Sequence, residues 1–135
     1  MIKDDNTSQF LNALDEAVAR ALETIGMKCE RYAKIELDNT PRRIDTGLLR
    51  NSITHALFGK PPAITSYHAD TGDGSGKYSG TAENKKDTVF IGTNVEYAQY
   101  VHFGTTRMTK NEFIKNAVDR HMDEYKEIVK SEMKK

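Results

Sequence analysis

A long run without helix breakers near the N-terminus is the feature that most constrains the fold of this chain. Between Phe10 and Leu37 there is no proline and only one glycine, Gly26. Apolar residues recur there at steps of three and four positions: Leu11, Leu14, Val18, Leu22, Ile25, Cys29 and Tyr32. This spacing predicts one stripe of an amphipathic helix. At ~1.5 Å per residue the helix would be about 40 Å long. Such a length exceeds the needs of a small compact domain, so part of the helix is free to project or to pack on a neighbour.

The two ends of this helix also carry signals. Thr7 or Ser8 is predicted to cap its first turn, because a side-chain hydroxyl can accept from a free backbone amide. Pro41 closes the region, since the residue before a proline is biased away from helical geometry.

The middle of the chain predicts short strands and one short helix. A helical turn or two after residue 45 is expected to lead into a strand over about residues 52–58. Further strands are predicted in "AITSYH" (63–68) and in "DTVFIG" (87–92), the second of them in the centre of a sheet. "NVEYAQYVHFG" (94–104) predicts a short helix with Asn94 as its cap and Gly104 at its end. The side chains expected to pack this helix on the sheet are Tyr97, Ala98, Val101 and Phe103.

The C-terminal part predicts one last helix. Thr109 and Glu112 stand at capping-box spacing. They precede an apolar face made of Ile114, Ala117, Val118, His121, Tyr125, Ile128 and Val129. The whole order predicts an α+β fold with a long N-terminal helix, a small antiparallel sheet with a short helix, and a C-terminal helix. A length of 135 residues is typical of a single domain, 1–135.

The segment 69–87, "ADTGDGSGKYSGTAENKKD", interrupts this order. It is rich in glycine and charge, and Tyr78 is its one large apolar side chain. Such a composition predicts a long mobile loop, because it buries too little apolar area to offset the entropy of ordering. We expect trypsin to cut it at Lys77, Lys85 or Lys86 before it reaches the helices.

Basic and acidic side chains balance along the chain, with 20 Lys and Arg residues against 20 Asp and Glu residues. Residues 1–40 carry five basic and eight acidic side chains, and residues 107–135 carry eight and six. A protein that tracks phosphates needs a one-sided basic field, which neither end has. Nucleic-acid binding as the main activity is therefore disfavoured, and any such contact is expected to be incidental.

Cysteine content and hydropathy suggest the compartment. Cys29 is the single cysteine, so no disulfide within the chain is expected, and no apolar signal sequence follows Met1. Charges interrupt each apolar run well short of the ~18 residues that a membrane span needs. We expect synthesis in a reducing cytoplasm and no membrane contact.

Two Asp-Thr-Gly triplets, beginning at Asp45 and Asp70, raise the possibility of an aspartic protease. That chemistry needs two carboxylates held by apolar strands at a dry site, where they share one proton. Asp70 instead lies among Gly, Ser, Asp and Lys residues, and Asp45 follows two arginines, Arg42 and Arg43, which favour its ionised form. The favoured interpretation is structural: Asp45 or Thr46 caps a short helix.

Other chemical motifs are weaker. A calcium loop that started at Asp70 would need ligands at Gly72 and Gly74 and a glutamate at Thr81. The four histidines, His55, His68, His102 and His121, show no metal-binding spacing. His121 is expected in the core or at an interface, and His102 is expected to be structural. No catalytic residue, cofactor or metal is predicted.

Three blocks of the chain together resemble the tailed-phage family of head-tail joining or tail-completion proteins, also called minor tail or neck components. The blocks are "RIDTGLLRNSI" (43–53), "VFIGTNVEYAQYVHFGTTRM" (89–108) and "NEFIKNAVDRHMDEYKEIVKSEMKK" (111–135). The residues that match the family pattern are Asp45, Thr46, Gly47, Leu49, Arg50, Ser52, Gly92, Tyr97, Ala98, Phe103, Gly104 and Thr105. One departure is visible: the family commonly has proline before the phenylalanine that opens the last helix, where this chain has Glu112.

The resemblance implies a structural part of a phage or prophage virion, without enzymatic activity, that joins or completes the tail at the head-tail connector. It implies that copies of the chain assemble into a ring. The implied partners are the connector or head-completion protein and the tail terminator or tail-tube proteins. The implied location is the neck or tail of the virion, with the host cytoplasm as the place of assembly.

Two other classes of function compete with this one. A small hydrolase using Asp45 or a histidine predicts that Asp45→Asn abolishes an activity while the fold stays intact. A small nucleic-acid-binding module, including the toxin-antitoxin kind, predicts retention of DNA or RNA that weakens with salt.

Overall fold

The computed structural model describes residues 4–38, 47–70, 72–82, 87–95, 97–104 and 110–134. Its elements are, in chain order, α1 (Asp4–Asp38), α2 (Leu48–Ser52), β1 (Thr54–Leu57), β2 (Ser66–His68), β3 (Ser75–Lys77), β4 (Val89–Gly92), α3 (Ala98–Phe103), α4 (Phe113–Asp119) and α5 (Met122–Met133). The predicted α+β class is confirmed, with its long N-terminal helix, antiparallel strands, short helix and C-terminal helices.

Helix α1 has 35 residues, which corresponds to about 52 Å. It begins at Asp4, so Thr7 and Ser8 lie inside it and the predicted cap is wrong. Most of its buried side chains are smaller than those of the predicted stripe, and Cys29 belongs to both sets. The buried side chains are Ala17, Ala21, Cys29, Ala33 and Leu37. Short side chains let the strands and the C-terminal helices approach the α1 backbone closely. Larger apolar residues such as Ile25 and Tyr32 flank this line and are partly buried.

The strands form two separate antiparallel pairs. Strand β1 pairs with β4, with Thr54 opposite Gly92 and Leu57 opposite Val89. Strand β2 pairs with β3. Strand β4 therefore has one neighbour among the described strands, and the prediction that it lies at the centre of a sheet is wrong. A central position would require a second strand beside β4, and among the described strands β2 and β3 pair with each other instead.

The expectation of irregular chain throughout 69–87 is corrected by β3. Gly76 lies opposite Tyr67, and a Cβ there would come within 2.2 Å of the Tyr67 hydroxyl oxygen. The Tyr67 ring thus packs on a strand position that carries no side chain. Cross-strand packing of an aromatic ring on glycine compensates for the poor strand propensity of this segment. The mobility and the trypsin sensitivity of 69–87 stay predictions.

Asn94 links the two strand pairs and does not cap α3. Its amide nitrogen donates to the Lys77 carbonyl oxygen at 3.0 Å, and its amide oxygen accepts from the Tyr67 hydroxyl. Tyr97 occupies the N-cap position of α3 and makes no side-chain cap bond. The predicted end of α3 is confirmed: Gly104 has φ of 82°, and its amide donates to the Tyr100 carbonyl oxygen at 2.8 Å.

The predicted last helix is broken in two near His121. Helix α4 ends at Asp119 and α5 begins at Met122. The Tyr125 hydroxyl donates to the Ala117 carbonyl oxygen at 2.6 Å, which satisfies one of the acceptors that the end of α4 leaves free. Both helices pack on α1. Thr109 of the predicted capping box lies outside the described residues, and Glu112 makes no side-chain cap bond.

The core lies where α1 meets α2, α3, α4 and α5. Its buried members are Cys29, Ala33, Leu37, Leu49, Ile53, Val101, Phe113, Ala117 and Tyr125. Within the described ranges, no helix combines the length and the apolar character that a membrane crossing requires.

Candidate functional site

The residues of the family pattern come from two segments of the chain, and the structure brings these segments together. Leu49 and Ser52 of α2 are both fully buried. The Ser52 hydroxyl donates to the Leu49 carbonyl oxygen at 2.6 Å and lies 2.5 Å from the Thr93 hydroxyl oxygen, just after β4. Since Ser52 has one hydrogen to give, Thr93 donates to it. This contact fixes α2 against the end of β4.

Tyr78 closes the same junction from the β3 side. Its hydroxyl donates to the Ser52 carbonyl oxygen at 2.5 Å and accepts from the Asn94 amide at 3.3 Å. Burial raises the pKa of Tyr78 and outweighs the opposing effect of its hydrogen bonds. The hydroxyl therefore stays protonated and serves as a fixed donor.

The remaining described pattern residues also serve packing or pairing. Arg50 forms an ion pair with Asp38, with 2.9 Å between the guanidinium Nε and the carboxylate oxygen, which ties α2 to the end of α1. Gly92 pairs with Thr54 in the sheet. Tyr97 and Ala98 pack against the core at the start of α3. Asp45, Thr46 and Thr105 lie outside the described residues. The N-cap position of α2, which was predicted to be Asp45 or Thr46, is occupied by Gly47.

Gly47 is the point where the two Asp-Thr-Gly triplets meet. Its φ of 77° is left-handed, and a Cβ there would lie 2.3 Å from a carboxylate oxygen of Asp70. The other carboxylate oxygen of Asp70 accepts from the Asn51 side-chain amide at 2.9 Å. The side chain of Asp70 is exposed. A carboxylate in water beside an amide donor does not have the dry, shared-proton environment that an aspartic protease needs.

Helix α3 presents its aromatic side chains outward. Phe103 is 72% exposed and Tyr100 is 53% exposed. We expected Phe103 to pack on the sheet, and that expectation is wrong: Val101 fills the buried position of α3 instead. A short helix cannot bury Val101 and Phe103 against the same surface, because residues two positions apart on a helix point to different sides. We call Tyr100 and Phe103 the α3 aromatic surface.

An apolar cavity of about 250 Å³ lies beside this surface. It is lined by Thr93, Ala98, Gln99, His102, Phe103, Phe113 and Ile114. The ring of Phe103 thus forms one wall of a cavity that reaches down to the core residue Phe113. An aromatic side chain beside an open apolar cavity is suited to contact with another protein surface.

Three of the histidines have structural or solvent-exposed places. The His121 ring stacks on the Tyr32 ring, with centroids 3.5 Å apart and planes at 7°. The His102 ring meets the Phe113 ring edge-on at 5.4 Å, and burial lowers the pKa of His102. His68 is exposed. No group of three metal-binding side chains stands together in the described part of the chain.

The fourth histidine, His55, lies in a buried position that its sequence context did not predict. Its side chain is 3% exposed and lies between two carboxylates of α1. Its Nε2 is 2.9 Å from Glu23 and its Nδ1 is 3.2 Å from Glu30. The available signal was the lone glycine of the long helix, Gly26, which stands between these two glutamates. A glycine inside a helix marks a position that another group approaches closely.

The described residues thus provide a hydrogen-bonded junction of α2, the end of β4 and Tyr78, and an apolar aromatic surface on α3. Comparisons with protein-family models, with curated proteins and with solved structures give no match for this chain.

Proposed function

We propose that this chain is a structural virion protein of a tailed phage or prophage, which joins or completes the tail at the head-tail connector by assembling into a ring of identical copies. The observation that carries the proposal is the α3 aromatic surface. Helix α3 comes shortly after Thr93 of the junction in the chain. The resemblance of the three sequence blocks supplies the virion context.

Exposure of large apolar groups supports assembly. Phe103, at 72% exposure, leaves most of its ring in water. Burying a phenylalanine side chain is worth about 1.5–3 kcal/mol, so a contact that covers this ring is favourable. Further exposed apolar side chains lie outside α3: Met27, Ile35, Phe58, Phe90, Met122, Val129 and Met133. Head-to-tail contacts require two different apolar patches on one subunit, and they form rings when the rotation between copies closes.

The proposed partners follow from the proposed place in the particle. One face of the ring meets the connector or head-completion protein, and the other meets the tail terminator or tail-tube proteins. The balanced charge supports protein rather than DNA as the main partner, because a DNA-tracking ring would carry a basic lining. Under this proposal the protein assembles in the host cytoplasm and lies in the neck or tail of the finished virion.

The experiment measures how much of the chain is present in purified phage particles, for the wild type and for two variants of Phe103. Particles are purified from a lysate of the phage or induced prophage that encodes the chain, and the chain is quantified in them by mass spectrometry. Phe103→Ser removes the exposed ring, and Phe103→Tyr keeps it. We expect the wild type and Phe103→Tyr in tailed particles at several copies each, and Phe103→Ser at strongly reduced occupancy. Absence of the wild-type chain from purified particles would contradict the proposal.

A further inference from the structure

His55 of β1 lies against α1 in a site made by three positions of that helix. Glu23, Gly26 and Glu30 are three and four residues apart, so they share one face. The two glutamates face opposite nitrogens of the imidazole ring, at 2.9 Å and 3.2 Å. The ring itself lies over Gly26, where a Cβ would come within 2.6 Å of its Cδ2. The site therefore fits a planar ring with a polar group at each end.

The hydrogen-bond inventory decides which form of the ring fits. An ionised carboxylate only accepts hydrogen bonds, and a neutral imidazole has a hydrogen on one nitrogen only. A neutral His55 would direct a lone pair at one of the two glutamates in a site closed to water at the ring. The imidazolium form donates to both glutamates at once, and its positive charge lies between two negative ones.

We propose that His55 is held as an imidazolium in the folded chain and that its charge clamps α1 onto β1 in a pH-dependent way. When His55 loses its proton at higher pH, one of its two nitrogens has no hydrogen and cannot donate to the glutamate that it faces. The clamp then weakens at the contact between the long helix and the sheet.

The other groups around the ring support this assignment. On α1, Lys34 lies 3.7 Å from the second carboxylate oxygen of Glu30, which partly balances its charge. On β4, the apolar Ile91 stands opposite His55 and Val89 lies beside Gly26. From the β3 side, Tyr78 interacts electrostatically with Glu30 and stays protonated. Among the described residues, Glu23 and Glu30 are the acidic groups that contact the ring, and Lys34 is a cation beside Glu30.

The direction of the pH effect follows from opposing causes. Burial acts to lower the pKa of His55, and the hydrogen bonds and charges of Glu30 and Glu23 outweigh it, so the pKa lies above its ordinary value of 6.5. A histidine with a raised pKa in the folded state stabilises the fold fully below pH 6.5. That stabilisation is lost as the pH rises through the folded-state pKa.

The first test is a direct titration of the imidazole rings by NMR, with the ring nitrogens of the wild-type protein labelled with ¹⁵N. We expect the His55 ring at pH 6.5 to show two protonated nitrogens and to titrate above the ordinary histidine value of 6.5. A neutral His55 ring at pH 6.5, or titration of His55 at or below that pH, would overturn the proposal.

The second test compares variants by urea unfolding from pH 5.5 to pH 9. Glu23→Gln removes one of the two charges at the ring, while Glu16→Gln makes the same change at an exposed position of α1. We expect Glu23→Gln to move the alkaline loss of stability to lower pH and Glu16→Gln to follow the wild type. His55→Gln should lose this part of the pH dependence. Identical pH profiles for Glu23→Gln and the wild type would count against the clamp, and this outcome is readable even if His55→Gln fails to fold.

Discussion

At the scale of single residues, Gly26 shows packing acting against local preference. Alanine is favoured over glycine inside a helix by about 1 kcal/mol. A Cβ at Gly26 would nevertheless lie 2.6 Å from the His55 ring and 3.0 Å from Val89. We predict that Gly26→Ala destabilises the fold by about 1–3 kcal/mol, as overpacking of a core does. Urea unfolding checks this, with Gly92→Ala as the control, because no atom lies within 4 Å of a Cβ built there. A more stable Gly26→Ala protein would refute the close packing of His55 on α1.

Gly47 gives a second residue-scale prediction, at the meeting point of the two triplets. Gly47→Ala combines a left-handed φ of 77° with a contact of 2.3 Å to Asp70. We expect it to cost about 1–3 kcal/mol of unfolding free energy. Combining it with Asp70→Ala should recover part of the loss, since the contact is removed while the backbone conformation stays unfavourable. A double-mutant cycle of unfolding free energies measures that coupling. Simple additivity of the two substitutions would show that Gly47 and Asp70 do not interact.

Residue roles followed from the sequence where the pattern was local. The end of α3 at Gly104 is a local signal and was predicted correctly. The place of His55 depends on Glu23 and Glu30, which lie 32 and 25 residues away in sequence. Periodicity along one element carries no information about such a partner. The prediction for Phe103 was wrong for a related reason. In a short helix, the sequence alone does not show which side faces the core, so an apolar side chain can be assigned to the wrong side.

At the scale of elements, the two phenylalanines that line the cavity differ in burial and are expected to differ in their effect on stability. Phe113 of α4 is fully buried, whereas Phe103 of α3 is 72% exposed. We predict that Phe113→Ala lowers the unfolding free energy by about 3–5 kcal/mol. Phe103→Ala should change it by less than about 0.5 kcal/mol, as exposed substitutions do. Thermal or urea unfolding of both variants provides the measurement. A loss of several kcal/mol in Phe103→Ala would mean that the ring is buried and that the α3 aromatic surface does not exist.

The break between α4 and α5 depends on the buried hydroxyl of Tyr125. Tyr125→Phe leaves the Ala117 carbonyl oxygen without its donor at 2.6 Å. An unsatisfied buried acceptor costs about 1–3 kcal/mol, and we predict a loss of unfolding free energy in that range. Tyr100→Phe is the matched control, because its ring is 53% exposed. Equal stability of the two variants would show that the hydroxyl does not hold the helix junction.

Element types were predictable where a long periodic pattern existed, and less so elsewhere. Helix α1 follows from its repeated apolar steps. Cys29 of the predicted stripe is in the core and Ile25 and Tyr32 pack against it, but most of the fully buried positions are small residues that the stripe did not include. Strand β3 was missed because its sequence, Ser75–Lys77, has poor strand propensity, and Tyr67 of another strand provides the compensation. The break before α5 was missed because the apolar pattern continues through His121, whereas contacts there, such as the stacking of His121 on Tyr32 of α1, join residues far apart in sequence.

At the scale of the whole molecule, the α+β class followed from the order of elements. The separation into two strand pairs did not, because pairing partners are chosen by packing between distant segments. In the proposed assembly, Ser52 fixes α2 against the end of β4, Leu49 shares the buried core with Val101 of α3, and Phe103 faces outward from α3. In this account the pattern residues act indirectly, by positioning the contact surface.

The most direct measurement of the central claim is electron microscopy of particles made without this chain. Its gene is disrupted in the phage or prophage, and either the wild-type chain or Phe103→Ser is supplied from a plasmid. Without the chain, we predict DNA-filled heads and separate tails. The wild-type chain should restore joined particles. Phe103→Ser should restore few, although we expect it to fold normally because the ring is 72% exposed. A full yield of joined, infectious particles in the absence of the chain would contradict the account.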